Sequence, residues 1–246
     1  SEASNLTHDA GKRIAQIYLR DMKAIGQALV KLAEAHKAEL MVNAFDLDYS
    51  WPLHSALTQV LQGRSRASDL REEWEKEVRT WPKGALHMRF SDNHDERRAI
   101  ARFGEPAALA ASAFVFTLDG VPMLYNGMEV GDTTESGAPA LFEKLPIFWS
   151  IAERRPEFPK FYKQMMTLRR SSTALRRGSL EWLRNSDDSR VVTFVRRAGD
   201  EEVLVAINFS NRPFFGSVEV ANAAGFGEGL PVLSLDAWGY RVFKHR

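Results

Sequence analysis

From residue 41 to about residue 170, short apolar runs alternate with helix-length runs, and that alternation restricts the fold more than any other feature of the chain. Residues 41–45 read as a strand, 53–61 as a helix and 68–80 as a charged surface helix. Residues 85–90 are the next strand, 107–117 an alanine-rich buried helix, 121–125 another strand and 159–169 a closing helix. Strands that alternate with helices build βαβ units and hence a parallel sheet or barrel. Ahead of them, residues 10–40 carry Ile14, Tyr18, Met22, Ile25, Leu29 and Leu32 at spacings of 4 or 3, the pattern of an amphipathic helix. After about Leu175 the texture changes to short alternating runs at 180–183, 191–196, 203–209, 216–220 and 239–243, separated by polar turns. That pattern predicts an antiparallel β domain joined directly to the preceding helix.

Composition narrows the function classes. The chain has 246 residues, 44% hydrophobic and 26% charged, so a packed globular core is expected rather than disorder. Net charge is +1, with no basic field for nucleic acid or an anionic membrane. No apolar run reaches the roughly 18 residues of a membrane span, and neither a nucleic acid nor a membrane is expected as a partner. The absence of cysteine removes disulfides and thiolate metal sites and says nothing of compartment. The first residues, SEASNLTHDAGKR, lack the apolar core of a secretion signal, so none is expected there, and localisation is left open.

The most chemically loaded stretch is Phe90-Ser91-Asp92-Asn93-His94-Asp95. It places hydrogen-bond acceptors and an imidazole directly behind the apolar run Ala85, Leu86, Met88, Phe90. A buried parallel strand that ends in polar residues is where α/β folds carry their sites. Asn93 or Asp95 would serve equally well as the N-cap of a helix starting at Glu96, and both readings stand on spacing alone.

The stretch FSDNHD resembles the segment that ends the seventh barrel strand in the alpha-amylase family of glycoside hydrolases. Three further stretches, in order, support the resemblance. Leu32-Ala-Glu-Ala with Ala44-Phe-Asp-Leu-Asp-Tyr-Ser-Trp51 is similar to the end of the fifth strand and the sixth. Gly120-Val-Pro-Met-Leu-Tyr-Asn-Gly-Met-Glu-Val-Gly131 is similar to the eighth-strand segment, and the tail with LVAINFSNRP and WGYRVF to the family's C-terminal β domain. The resemblance implies an α/β fold: a partial (β/α)8 TIM-type barrel, later strands only, over residues 1–174, followed by an antiparallel β-sandwich domain over 175–246. A whole barrel takes about 250 residues, more than precede the β domain here.

The family acts on α-glucosidic bonds by a retaining double displacement, which needs a carboxylate nucleophile and a carboxylic acid about 5 Å apart. The resemblance implies that Asp95 stabilises the transition state, and that His94, Asn93 and Tyr125 bind the sugar. It places the general acid at Glu34, although residues 32–39 would also continue the preceding helix and leave Glu34 on a solvated face. It places the nucleophile at Asp9. The family's Gly-x-Arg-x-Asp pattern is broken there by Asn5 and Thr7, and Asp9 reads equally as the N-cap of the helix from Ala10. No cofactor and no metal site are expected. The expected partner is an α-linked oligosaccharide or polysaccharide. A half-barrel leaves parallel-sheet edges unpaired, so a second copy in a homodimer, or a complementing half-barrel, is a further expected partner.

Overall fold

The computed structural model describes residues 20–25, 43–134, 144–227 and 229–245. Asp48–Arg79 and Leu86–Arg246 cluster as one compact unit, which holds the elements named below apart from Thr80, the last residue of one helix. Outside it, residues 20–25 are helical, within the stretch expected to be so, and residues 43–44 are helical as well. The remainder of the expected N-terminal helix lies outside the described residues.

Three short strands form a parallel sheet in the order β1-β2-β3: β1 (Asp48–Tyr49), β2 (His87–Arg89) and β3 (Val121–Pro122). Between β1 and β2 run α1 (Trp51–Leu61) and α2 (Ser68–Thr80), and between β2 and β3 run α3 (Ala99–Phe103) and α4 (Glu105–Thr117). The helix-strand alternation therefore gives parallel pairing, as the sequence pattern requires. The strand expected at 41–45 is corrected: residues 43–44 are helical, Phe45 is exposed, and the strand lies at Asp48–Tyr49. Its place is set by β2, since the amides of Asp48 and Ser50 donate to the carbonyls of Leu86 and Met88, both at 3.2 Å. Such pairing is non-local, and local propensity does not choose between neighbouring apolar runs.

Helix α4 is buried on nearly every side, which its alanines permit by letting neighbours approach closely. Phe114, on α4, meets Phe194 and Phe209 edge-on, with ring centroids 6.4 and 5.8 Å away. After the short helix α5 (Ile151–Arg154), helix α6 (Glu157–Ser171) packs Phe158, Phe161, Tyr162 and Met165 into the same core and is followed by α7 (Thr173–Arg177), whose N-cap Ser172 accepts from the Leu175 amide. Helix α2 is less solvated than its charge predicts. Leu70 and Glu77 are buried, and Glu77 accepts from the Ser50 hydroxyl and pairs with Arg89 at 2.6 Å.

The C-terminal part is antiparallel. Strands β4 (Ser179–Leu183), β5 (Val191–Ala198), β6 (Glu201–Asn208) and β9 (Tyr240–Lys244) form a four-stranded sheet, and β7 (Phe214–Ser217) pairs with β8 (Val232–Leu235). The strand expected at 216–220 thus begins two residues earlier, and β8 went unread because Val232–Leu235 is short and follows Gly229 and Pro231. Val192, Phe194, Val205 and Ile207 of this sheet share one core with Leu57, Leu70 and Phe114.

The turn from α4 into β3 joins these parts. Its carbonyls from Phe116 to Gly120 would be orphaned at a helix end. Each instead accepts from a buried arginine. Arg169 of α6 donates to Phe116 and Leu118 (2.8 and 2.9 Å) and to Gly120. Arg196 of β5 donates to Thr117 at 2.9 Å, and Arg89 of β2 to Asp119 at 3.2 Å. Burial pushes the guanidinium pKa values of Arg169 and Arg196 down to about 10, still charged at neutral pH, where they face the negative end of the α4 dipole. Gly120 itself has φ +80° and stands where a Cβ would meet the His87 carbonyl at 2.3 Å.

Arg196→Met removes the donor for the carbonyls of Thr117, Gly178 and Ser179 together. The expected loss is about 2–4 kcal/mol in urea unfolding, with Arg196→Lys recovering less than half because an ammonium lacks the planar fork. An unchanged unfolding midpoint would contradict this account of the joint.

Candidate active site

The stretch 90–95 emerges from the carboxyl end of β2, the central parallel strand. Phe90 anchors it: the His54 ring stacks on Phe90 at 4.5 Å and 10°, and Trp51 and Tyr49 meet it edge-on at 5.0 and 5.3 Å. Burial, then the charge of Arg102, lowers the His54 pKa to about 4, so the stacked imidazole is neutral at physiological pH. Arg102 in turn donates to the Ser91 carbonyl at 2.8 Å.

Beyond this anchor the chain turns sharply. Asn93, with no exposed surface, accepts the Asp95 amide on its Oδ1 at 3.0 Å, an Asx turn. Asp92 accepts the Ala99 amide at 3.2 Å and lies 3.5 Å from the Arg98 guanidinium. Helix α3 therefore starts at Ala99, not Glu96, and its first free amide is taken by Asp92 rather than by Asn93 or Asp95. The cap reading of Asp95 is corrected by that geometry. Its carboxylate is released from helix duty and sits half-exposed beside His94, with Nε2 3.4 Å from Oδ1.

Tyr125 lies on the next loop, after β3, with the Arg98 guanidinium 4.9 Å above its ring. The strand expected at 121–125 ends at Pro122, and pairing extends only to the Met123 amide, which donates to the Arg89 carbonyl at 2.8 Å. Thus His94, Asp95 and Asn93 share one loop and Tyr125 the adjacent one. Asp9 and Glu34 lie outside the described residues. Asp92, Arg98 and Arg102 were not singled out by sequence. Arg97 and Arg98 are adjacent and chemically identical, and only the fold buries the second while exposing the first. Among the described residues no cluster of His, Cys, Asp and Glu is arranged to hold a metal ion, and no helix is long and apolar enough to cross a membrane.

Burial raises the Asp92 pKa from the ordinary 3.8 to about 6, against the opposing pull of Arg98 and the Ala99 amide. A carboxyl with a raised folded pKa binds its proton more readily when folded. Its contribution to stability is best below 3.8, falls as pH rises to about 6 and is level above that. Wild type is therefore expected to lose up to roughly 3 kcal/mol relative to Asp92→Asn across that window. His54, with its lowered pKa, acts in the opposite sense but equally in both proteins. Urea unfolding at pH 4, 5, 6 and 7 tests this, and a pH-independent difference between the two proteins would rule it out.

A family model described as alpha amylase, catalytic domain, matches residues 4–188. Alpha-amylase MalA of Haloarcula japonica is 28% identical over 181 residues, covering 71% of this chain and 26% of the relative. Alpha-amylase 2 of Dictyoglomus thermophilum is 32% identical over 131 residues, covering 50% of this chain and 22% of the relative. Among solved structures, an alpha-amylase from Geobacillus thermoleovorans, complexed with acarbose, superposes with a TM-score of 0.69 at 23% identity, over 86% of this chain and 50% of that one. A cyclic alpha-maltosyl-(1-->6)-maltose hydrolase from Arthrobacter globiformis gives 0.68 at 21%, over 82% of this chain and 46% of that one. The chain spans about a quarter of the length of these curated relatives and about half of these solved ones. These solved neighbours are alpha-amylase (β/α)8 barrel proteins, and more than four-fifths of this chain shares their fold. With the family's catalytic-domain model matched from residue 4 to residue 188, the chain belongs to the alpha-amylase family.

Proposed function

We propose that this chain supplies the later strands of a glycosidase barrel that acts on α-glucosidic bonds of glucans or oligosaccharides by a retaining double displacement. The observation that carries the reading is the placement of His94 and Asp95. They lie just past the carboxyl end of the central parallel strand, half-exposed and 3.4 Å apart, directly after the buried Ser91, Asp92 and Asn93. In this reading the Asp95 carboxylate accepts from sugar hydroxyls and favours the distorted ring of the oxocarbenium-like transition state. His94 adds a directional donor or acceptor to the same sugar. Asn93 serves from beneath by holding the Asp95 amide, and Tyr125 offers a ring and a hydroxyl from the adjacent loop. Glu34 is the proposed general acid and base and Asp9 the proposed nucleophile. The boundary between barrel part and β domain is placed at 174/175, with the two antiparallel sheets as the layers of a sandwich. Cyclomaltodextrinase names among the relatives, such as that of Geobacillus thermopakistaniensis, support maltooligosaccharides or cyclic glucans as substrate class.

A second reading, a catalytically silent half-barrel that binds carbohydrate or a partner chain, is favoured by one observation. Among the described residues β1 and β3 each pair on one side only, both with β2. A second copy or a complementing half-barrel would supply the missing ladder.

Release of reducing ends from maltoheptaose separates the two. Activity is expected, with Asp95→Asn lowering kcat by about 10²–10³-fold, the range for loss of one electrostatic contact to the transition state, and Glu34→Gln abolishing turnover. A folded chain with no release, alone or self-associated, would sink the enzymatic reading.

A further inference from the structure

We infer that Arg98 is a positioning residue that locks the His94–Asp95 loop to the Tyr125 loop, so that the two present one surface. The inference deepens the glycosidase reading and its catalytic consequence rests on that reading, but the geometry stands independently. Arg98 is 7% exposed and sits between the loops that leave neighbouring strands β2 and β3. From the first loop, Asp92 approaches its Nε at 3.5 Å. From the second, the carbonyls of Asp132 and Asn126 accept from Nε and Nη2 at 3.2 and 3.1 Å, and the Tyr125 ring lies 4.9 Å under the guanidinium carbon.

The second loop is shaped around this group. Gly127 has φ +93°, and a Cβ there would come within 2.8 Å of Arg98 Nη2, so the guanidinium occupies space that a side chain would fill. The Asp132 amide closes back on the Gly127 carbonyl at 2.9 Å. Asp132 Oδ1 then accepts the Thr134 amide at 2.9 Å and the Thr134 hydroxyl at 2.6 Å. A planar fork with donors in fixed directions reaches a carboxylate, two carbonyls and a ring face together, which a lysine ammonium does not. The ladder ends at the contact between the Met123 amide and the Arg89 carbonyl, and Arg98 extends the coupling of the two strands beyond it.

The test is hydrogen exchange on the full chain, read at the amides of Asp95 and Thr134, which sit in different loops and bond to Asn93 and Asp132. Arg98→Ala is expected to accelerate exchange at both by at least about tenfold, while the β5–β6 ladder keeps its protection. Arg98→Lys, which keeps the charge, is expected to protect Thr134 only partly and serves as the readout if the alanine variant fails to fold. Thr134 retaining wild-type protection in a folded Arg98→Ala or Arg98→Lys protein would overturn the inference. In maltoheptaose cleavage, Arg98→Ala should lower kcat by about 10²-fold with a smaller change in KM, as displaced catalytic groups do, and methylguanidine should restore part of the rate. A kcat equal to wild type would also overturn it. An inactive wild type overturns the glycosidase reading alone, and exchange then decides the role of Arg98.

Discussion

Five successive carbonyls, from Phe116 to Gly120, accept hydrogen bonds from three buried arginines that arrive from a parallel strand, a helix and an antiparallel strand. Helix ends leave carbonyls unbonded, and a buried orphan costs as much as a lost hydrogen bond. Here the orphans become the joint of the molecule. Arg89, Arg169 and Arg196 each satisfy the helix end, and in doing so fix β2, α6 and β5 against one turn. Among the described residues, of these three only Arg89 also forms ion pairs with carboxylates, Glu77 at 2.6 Å and Asp119 at 2.9 Å. Arg169 and Arg196 are compensated by carbonyls, by the helix dipole and by the nearby charge of Asp119. A buried charge held this way costs desolvation, and its geometry is correspondingly specific.

The site hangs from that joint by a short path. The turn delivers Gly120, whose missing side chain lets β3 lie against the His87 carbonyl and pair with β2. β2 then carries Phe90 into its aromatic cage and the chain into the Asx turn that presents His94 and Asp95. Throughout this path polar groups face inward: Asp92, Asn93, Arg98 and Ser91 are all buried. His94 and Asp95 follow Asn93 and turn outward, half-exposed. Burial of their neighbours holds them in place, since an Asx turn and a capped helix leave the backbone little freedom.

Much of the fold was legible because it follows from periodicity. Helices at Trp51–Leu61, Ser68–Thr80 and Glu105–Thr117 lie within two residues of the expected spans, since their apolar spacing is local information. The strands of the parallel sheet were less legible. Each is two or three residues long, and what selects those residues is the partner strand across the ladder. The candidate site was legible as a polar cluster behind an apolar run. Its internal division of labour was not, because Asp92, Asn93 and Asp95 are interchangeable as caps until the helix start is known.

Sequence by itself therefore determined the alternation of helix and strand, the change from alternating α and β to antiparallel β, and the stretch that carries His94 and Asp95. Those properties rest on side-chain periodicity and on short runs of residue type, which are written along the chain. Tertiary structure decided which arginines are buried, Arg98 and not Arg97 among them, and that Asp92 and not Asp95 caps α3. Each of those outcomes depends on a carbonyl or amide brought close by packing from elsewhere in the chain. Identical side chains one position apart differ only in which way the folded backbone points them.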